Sequence, residues 1–354
     1  MALDDFSFES LNRDFSILSF ENTSRLLGDA TFPTHLLPLS RDAAADLLSL
    51  SRRVQSGGFF GVLPGQGQEL RIRLSEYLDS HPVLASLCIS LDAAIQAHFR
   101  EGEGLFAKLA DFSPKDAVGE SAEDPHFVEI YRDKLERLNV ALKGVVCNNL
   151  SLQALLWAKA TQLLQRSGLD VLATFVWSER ITDELERKLE FVAQYQPTHI
   201  VLREWVDLDP AYEFRGFSVN NKLVSMSQMA TMGIGPPAYP QLLSQRDSLI
   251  ASAQKFYDEC LRGPLAELSA QLSGLFVCDL YYHVPTSRWY VVELNPWETS
   301  AAGHLFSKDM SSLTSGNRPF ELRLVSETSP EVLEESSFPQ SWLQLLMGSN
   351  DTWF

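Results

Sequence analysis

A chain of 354 residues, 45% hydrophobic and 21% charged, is long enough for one large or two moderate globular units with a sizeable core. Its formal charge of −17, from 29 basic and 46 acidic side chains, works against a broad phosphate-tracking surface, while leaving room for a local basic patch. It has no apolar run long enough to span a bilayer, its acidic N-terminus Met1-Ala-Leu-Asp-Asp-Phe is unlike a secretory or transit signal, and Cys88, Cys147, Cys260 and Cys278 lack the spacing of a zinc site or a disulfide framework, so a cytoplasmic protein with reduced thiols is expected.

In chain order, residues 1–103 read as a mainly helical region. Ser40 is placed to cap a helical run through Leu50, and Gln68–Leu78 and Leu91–Phe99 carry apolar residues at helical spacing. Between them, Ser56-Gly-Gly-Phe-Phe-Gly-Val-Leu-Pro-Gly-Gln-Gly67 has the glycine density of a phosphate loop, but no Lys-Ser or Lys-Thr follows, so it reads as a surface loop. Gly104–Ala117 reads as a short strand carrying Lys108, followed by a Pro-containing turn with Lys115 and Asp116. A lysine in an apolar strand must snorkel out or meet an anion. Lys108 is thus a phosphate-binding candidate, an edge-strand lysine being the ordinary alternative. After a polar break at Ala122–His126 come a helix at Phe127–Leu138, a helix-like stretch from Ser151, an ambiguous Thr161–Gly168 and an apolar Asp170–Trp177 that reads as a strand or buried run. Thr182–Tyr195 is a charged amphipathic helix and Pro197–Val206 a strand. Asp209–Val219 and Leu223–Gln228 then form a hairpin across Asn220-Asn-Lys222. Its neighbourhood offers Arg203, Glu213 and Arg215, either as exposed cross-strand ion pairs worth about 0–1 kcal/mol each or as an anion clamp, with Arg215 gripping phosphate oxygens as a planar fork. Met229–Pro240, rich in Gly, Pro and Met, reads as a loop over a site or a plain connector, and Tyr239–Arg262 contains a helix.

Two strands follow, Phe276–Tyr282 and Arg288–Pro296, joined by His283-Val-Pro-Thr-Ser287. Alternation places Val277, Asp279 and Tyr281 on one face of the first and Val291, Glu293 and Asn295 on one face of the second. With Tyr282 paired to Arg288, Asp279 lies opposite Val291 and diagonal to Glu293, within roughly 7–8 Å. Two carboxylates and an amide oxygen then reach one hard cation, and Mg²⁺ takes such a set together with waters and substrate phosphates. The bland alternative is a solvated outer face, against which stand the apolar neighbours of both acids. Glu298–Gly303 is small and polar, Glu321–Val325 a further strand, and Thr328–Phe354 acidic with apolar punctuation.

Seven segments in order, Leu105-Phe-Ala-Lys-Leu109, Phe112-Ser-Pro-Lys-Asp-Ala117, Val201-Leu-Arg-Glu-Trp205, Glu213-Phe-Arg-Gly-Phe217, Ser227-Gln228, Val277-Cys-Asp-Leu-Tyr281 and Glu293-Leu-Asn-Pro296, resemble the cell division cycle protein 123 family, a branch of the ATP-grasp superfamily. The resemblance implies an α+β ATP-grasp fold, two lobes with ATP and Mg²⁺ between them. The core would be residues 104–310, with residues 1–103 as a helical elaboration and 311–354 as a strand and acidic tail. It makes Lys108 the first phosphate-contacting lysine, Arg215 the triphosphate-facing arginine, and Asp279, Glu293 and Asn295 the metal ligands. Lys108 and Arg215 are the catalytic candidates, and Lys115, Arg166 and Arg203 join them as nucleotide-binding candidates. The chain departs from the family pattern at Leu164-Gln-Arg-Ser167, where Arg166 replaces a lysine, at Glu293 where Asp is usual, and at Ser227-Gln-Met-Ala230 in place of Ser-Gln-Arg-Asp. The implied function is ATP-dependent assembly of eukaryotic translation initiation factor 2. The alternatives are an ATP-grasp ligase or nucleotidyltransferase, for example one joining RNA ends, and a degenerate nucleotide binder used as a scaffold.

Overall fold

The computed structural model describes residue 14 and residues 16–56, 67–117, 125–138, 149–190, 198–229, 240–297, 304–306, 310–314 and 319–324. The chain divides into two compact units that share it in alternating stretches. The first takes Met1–Phe32, Leu138–Leu156 and Leu208–Phe338, and the second takes Pro33–Arg137, Trp157–Asp207 and Pro339–Phe354. The glycine-rich stretch at 57–66, residues 230–239 and the tail from 325 lie outside the described residues.

The second unit is built on an antiparallel sheet of β1 (Thr34–Leu39), β2 (Leu105–Leu109) and β3 (Thr198–Glu204), in the order β1-β3-β2. One face, carrying Leu105, Ala107, Leu109, Ile200 and Leu202, is buried with apolar residues from the helices Arg41–Gln55, Pro82–His98 and Gly168–Trp177. Ser40 caps the first of these as its spacing predicts, its hydroxyl accepting from the Ala43 N–H at 3.2 Å. β1 falls in the region read as helical: Pro38 and partial exposure along the strand hide its alternation. The apolar run at 170–177, expected as a strand or buried run, is buried but helical. Ser167 opens the helix by accepting from the Asp170 N–H at 3.1 Å. Buried residues at Val171, Leu172, Ala173, Phe175 and Val176 occupy nearly every direction around it, which erases the helical period. Its start packs so tightly that a Cβ on Gly168 would come within 2.5 Å of the Cys88 carbonyl oxygen. Among the described residues no single helix is long and apolar enough to cross a membrane.

The first unit holds a five-stranded sheet of β4 (Glu213–Val219), β5 (Leu223–Gln228), β6 (Leu275–His283), β7 (Arg288–Pro296) and β8 (Glu321–Arg323), in the order β7-β6-β4-β5-β8. All neighbours are antiparallel except β5 and β8. The β4–β5 turn is made by Asn220 and Asn221 at φ 50° and 56°, a left-handed conformation that asparagine tolerates. Phe214, Met226, Cys278, Leu280, Val291 and Leu294 bury one sheet face with Leu249, Ala253, Tyr257 and Leu261 of the helical stretch Arg246–Leu261. Gly216 is required on that face, because a Cβ there would meet Leu223 Cδ1 at 2.8 Å and Cys278 Sγ at 2.9 Å. The opposite face carries the polar residues described next.

Candidate functional site

Strand register, not proximity in sequence, assembles the polar face of the five-stranded sheet. β4 lies against β6 with Arg215 opposite Asp279, and β6 lies against β7 with Asp279 opposite Glu293 and Val277 opposite Asn295. This corrects the register expected from the hairpin loop. His283, not Tyr282, pairs with Arg288, Leu280 pairs with Val291, and a bulge at Val292 brings Glu293 directly across from Asp279. Val291 therefore leaves the carboxylate face and is buried in the apolar core. Beside the bulge, Thr31 Oγ1 donates to the Val291 carbonyl at 2.7 Å.

Arg215 grips Asp279 as a fork, Nε donating to Oδ1 at 2.8 Å and Nη2 to Oδ2 at 2.9 Å, and Asn295 Nδ2 donates to Oδ2 at 3.0 Å. Arg215 is 9% and Asp279 8% exposed, so the pair is buried rather than a surface ion pair. Burial works against the Arg215 charge, but Asp279, and Glu293 at longer range, outweigh it and hold its pKa above the ordinary arginine range. The row continues through Ser227, opposite Arg215, to Arg323, opposite Ser227, so that Glu293, Asp279, Arg215, Ser227 and Arg323 cross all five strands. Arg323 was not singled out in the sequence. It pairs with Glu321 at 2.8 Å, donates to the Leu305 carbonyl at 2.7 Å and lies over the Phe306 ring at 3.9 Å, while the Leu305 N–H donates to Ser227 Oγ at 3.2 Å.

The donors of this face fit a hard cation, with unequal roles. A carboxylate offers about four lone-pair positions, and Arg215 and Asn295 engage three at Asp279; Glu293 stands directly across from it as the second carboxylate. Among the described residues no group of three His, Cys, Asp or Glu side chains could hold a metal, so amide, water or ligand oxygens must complete such a shell.

In the second unit, Lys108 and Arg203 share the sheet face opposite the apolar core, since Lys108 pairs with Val201 and Phe106 with Arg203. They are 2% and 4% exposed, so Lys108 does not snorkel to the surface and Arg203 is not an exposed pair. Lys115 and Arg166 are exposed. Lys115 sits in the turn after β2, and the Arg166 main-chain N–H donates to Asp170 Oδ2 at 3.0 Å. Glu213, in the first unit, stands opposite Tyr281. Sequence reasoning also passed over Asp207, which accepts from Lys134 Nζ at 2.9 Å, Arg137 Nη1 at 2.8 Å and Trp157 Nε1 at 2.7 Å. Its partners lie on two successive helices, 50 to 73 residues before it, and no local pattern announces them.

A model of the D123 family matches residues 156–344, more than half of the chain. Among curated proteins, cell division cycle protein 123 of Aspergillus terreus is 30% identical over 166 residues, 43% of this chain and 37% of its own length. Cell division cycle protein 123 of Phaeosphaeria nodorum is 28% identical over 206 residues, 54% of this chain and 51% of its own length. The translation initiation factor eIF2 assembly protein of Aspergillus niger is 32% identical over 111 residues, 31% of this chain and 27% of its own length. The chain thus spans between about a quarter and a half of the length of these relatives. The solved structure of Cdc123 from Schizosaccharomyces pombe aligns over 89% of this chain and 98% of its own, with a TM-score of 0.55 and 17% identity, a likeness of fold.

Proposed function

The chain belongs to the D123 family, and from that premise we propose that it is an ATP- and Mg²⁺-binding assembly protein for translation initiation factor 2, on an ATP-grasp fold and working in the cytoplasm. The observation that carries the nucleotide half is the row Glu293, Asp279, Arg215 with Asn295 beside it: carboxylates and an amide gathered on one sheet face by register. The partner half is supported by the name of the Aspergillus niger relative. Mg²⁺, when bound, neutralises phosphate oxygens and fixes their geometry. Glu293 would supply one carboxylate, Asp279 a second one held in place by the Arg215 fork, and Asn295 orients Asp279. Lys108, Lys115, Arg166 and Arg203 are the candidates for phosphate and nucleotide contacts in the second unit.

The test combines two measurements on the purified chain. Radiolabelled ATP with Mg²⁺, with and without RNA ends, is expected to bind with little turnover, and separately purified subunits of translation initiation factor 2 are expected to include one that the protein captures. Release of AMP or ADP tied to an RNA or peptide acceptor would replace the assembly reading by a ligase or nucleotidyltransferase. Failure to bind any subunit would remove the assembly function.

A further inference from the structure

A second buried polar arrangement, outside the sheet row, belongs to the second unit. Glu184, on the helix Glu179–Glu190, is fully buried, and its carboxyl accepts from two consecutive main-chain N–H groups, Phe112 at 3.0 Å and Asp111 at 3.4 Å. These open the turn that follows β2. Asp111 is held in turn by Lys188 at 3.2 Å and Arg187 at 2.5 Å. The far end of the turn is fastened to the start of the same helix: Asp116 accepts from Ser178 Oγ at 2.6 Å and from the Arg180 N–H at 3.1 Å. Arg180 also lies over the Phe112 ring at 5.6 Å. Inside the turn, the Lys115 N–H donates to the Ser113 carbonyl at 2.9 Å and the Ala117 N–H to the Pro114 carbonyl at 3.1 Å. Two carboxyl groups, Glu184 at the start of the turn and Asp116 at its end, thus fix a backbone whose tip exposes Lys115.

A buried carboxyl group is unfavourable unless its hydrogen-bonding positions are met, and here they are met by the main chain of Asp111 and Phe112, which leads into the buried Ser113 and on to the exposed Lys115. Rigid placement of a loop main chain is what a binding residue at its tip requires. We propose that Glu184 is a positioning residue for Lys115, holding the Ser113–Asp116 turn so that the Lys115 ammonium meets a phosphate of the bound nucleotide. This rests on the nucleotide reading above.

The test is a double-mutant cycle on the affinity of the full chain for ATP with Mg²⁺, measured by calorimetry. Lys115→Ala is expected to weaken binding about tenfold or more, the value of a charge-assisted hydrogen bond. Glu184→Gln keeps the shape and presents an amide N–H to one of the two loop donors, and is expected to weaken binding several-fold. The double variant is expected to bind no more weakly than Lys115→Ala, because Glu184 acts only through Lys115. Losses that multiply, or an unchanged affinity in Glu184→Gln whatever its melting temperature, overturn the proposal. Asp116→Asn, at the exposed end of the turn, runs through the same cycle with the same expectation should Glu184→Gln fail to fold. A parent that binds ATP while Lys115→Ala binds equally well overturns the positioning role alone. A parent that binds no ATP removes the nucleotide reading and this inference with it.

Discussion

Removing Arg215 tests the centre of the candidate site. Read from sequence, Lys108→Ala and Arg215→Ala weaken ATP binding with the fold intact, because both side chains would face phosphates rather than pack the interior. Both are buried, so both substitutions are expected to cost stability as well. For Arg215 the cost can be sized. Each side chain of the Arg215–Asp279 pair is 11% exposed, so solvent screening does not reduce it to the value of a surface pair. Removing one partner of a buried pair costs about 3–5 kcal/mol, mostly for the charge left behind. Here that charge is Asp279, with Glu293 directly across from it. In Arg215→Leu the carboxyl of Asp279 loses its counter-ion. The double variant Arg215→Leu, Asp279→Leu removes both charges, and most of the loss is expected to return. Urea midpoints and slopes for the two single variants and the double variant provide the assay. A loss below about 1 kcal/mol in Arg215→Leu, as for an exposed pair, or a double variant as unstable as the two single losses summed, would refute the reasoning.

Glu293→Gln is expected to keep the rise in melting temperature caused by nucleotide alone and to lose most of the part that requires Mg²⁺, which at a hundredfold excess over Kd reflects about 2.7 kcal/mol in the parent; a full Mg²⁺-dependent rise in the variant would show that the hairpin is not the cation site. Burial pushes the Glu184 carboxyl up to about 8, helped by Asp111 and opposed by Lys188 and Arg187, so the folded parent holds a proton that the unfolded chain gives up, and this contribution to stability is lost as pH rises toward that value. Glu184→Gln does not titrate, so melting temperatures of parent and variant between about pH 5 and about pH 8 are expected to shift steadily in the variant's favour; a constant gap would mean that Glu184 is ionised throughout.

Elements whose patterns are local were legible. The strands β4, β6 and β7 are rich in aromatic and β-branched residues, Asn220-Asn-Lys222 has the chemistry of a tight turn, and the helix at 41–55 opens with its capping serine. The helix at 168–177 was not, because an apolar run buried all round has no face to display; the legible signal was the pairing of Ser167 with Asp170 as a cap. The interleaved units were not legible either, since among the described residues the chain passes from one to the other at 32/33, 137/138, 156/157 and 207/208 with no linker-like stretch to mark the passage. The site shows the same division. Gathering Asp279, Glu293 and Asn295 on one face needed only the period of two and a hairpin. Placing Glu293 directly across from Asp279 needed the Val292 bulge, and an insertion of one residue leaves no mark in an alternating pattern of Val, Glu, Leu and Asn. The partner of Asp279 lay further out of reach. Arg215 sits 64 residues away on a strand whose own hairpin partner is β5. Only the sheet order makes β4 the neighbour of β6, and that order is set by which faces β4, β5 and β6 can bury together. The arginine assigned by resemblance to a triphosphate thus has a structural role that no local pattern contains: it neutralises the buried acid Asp279.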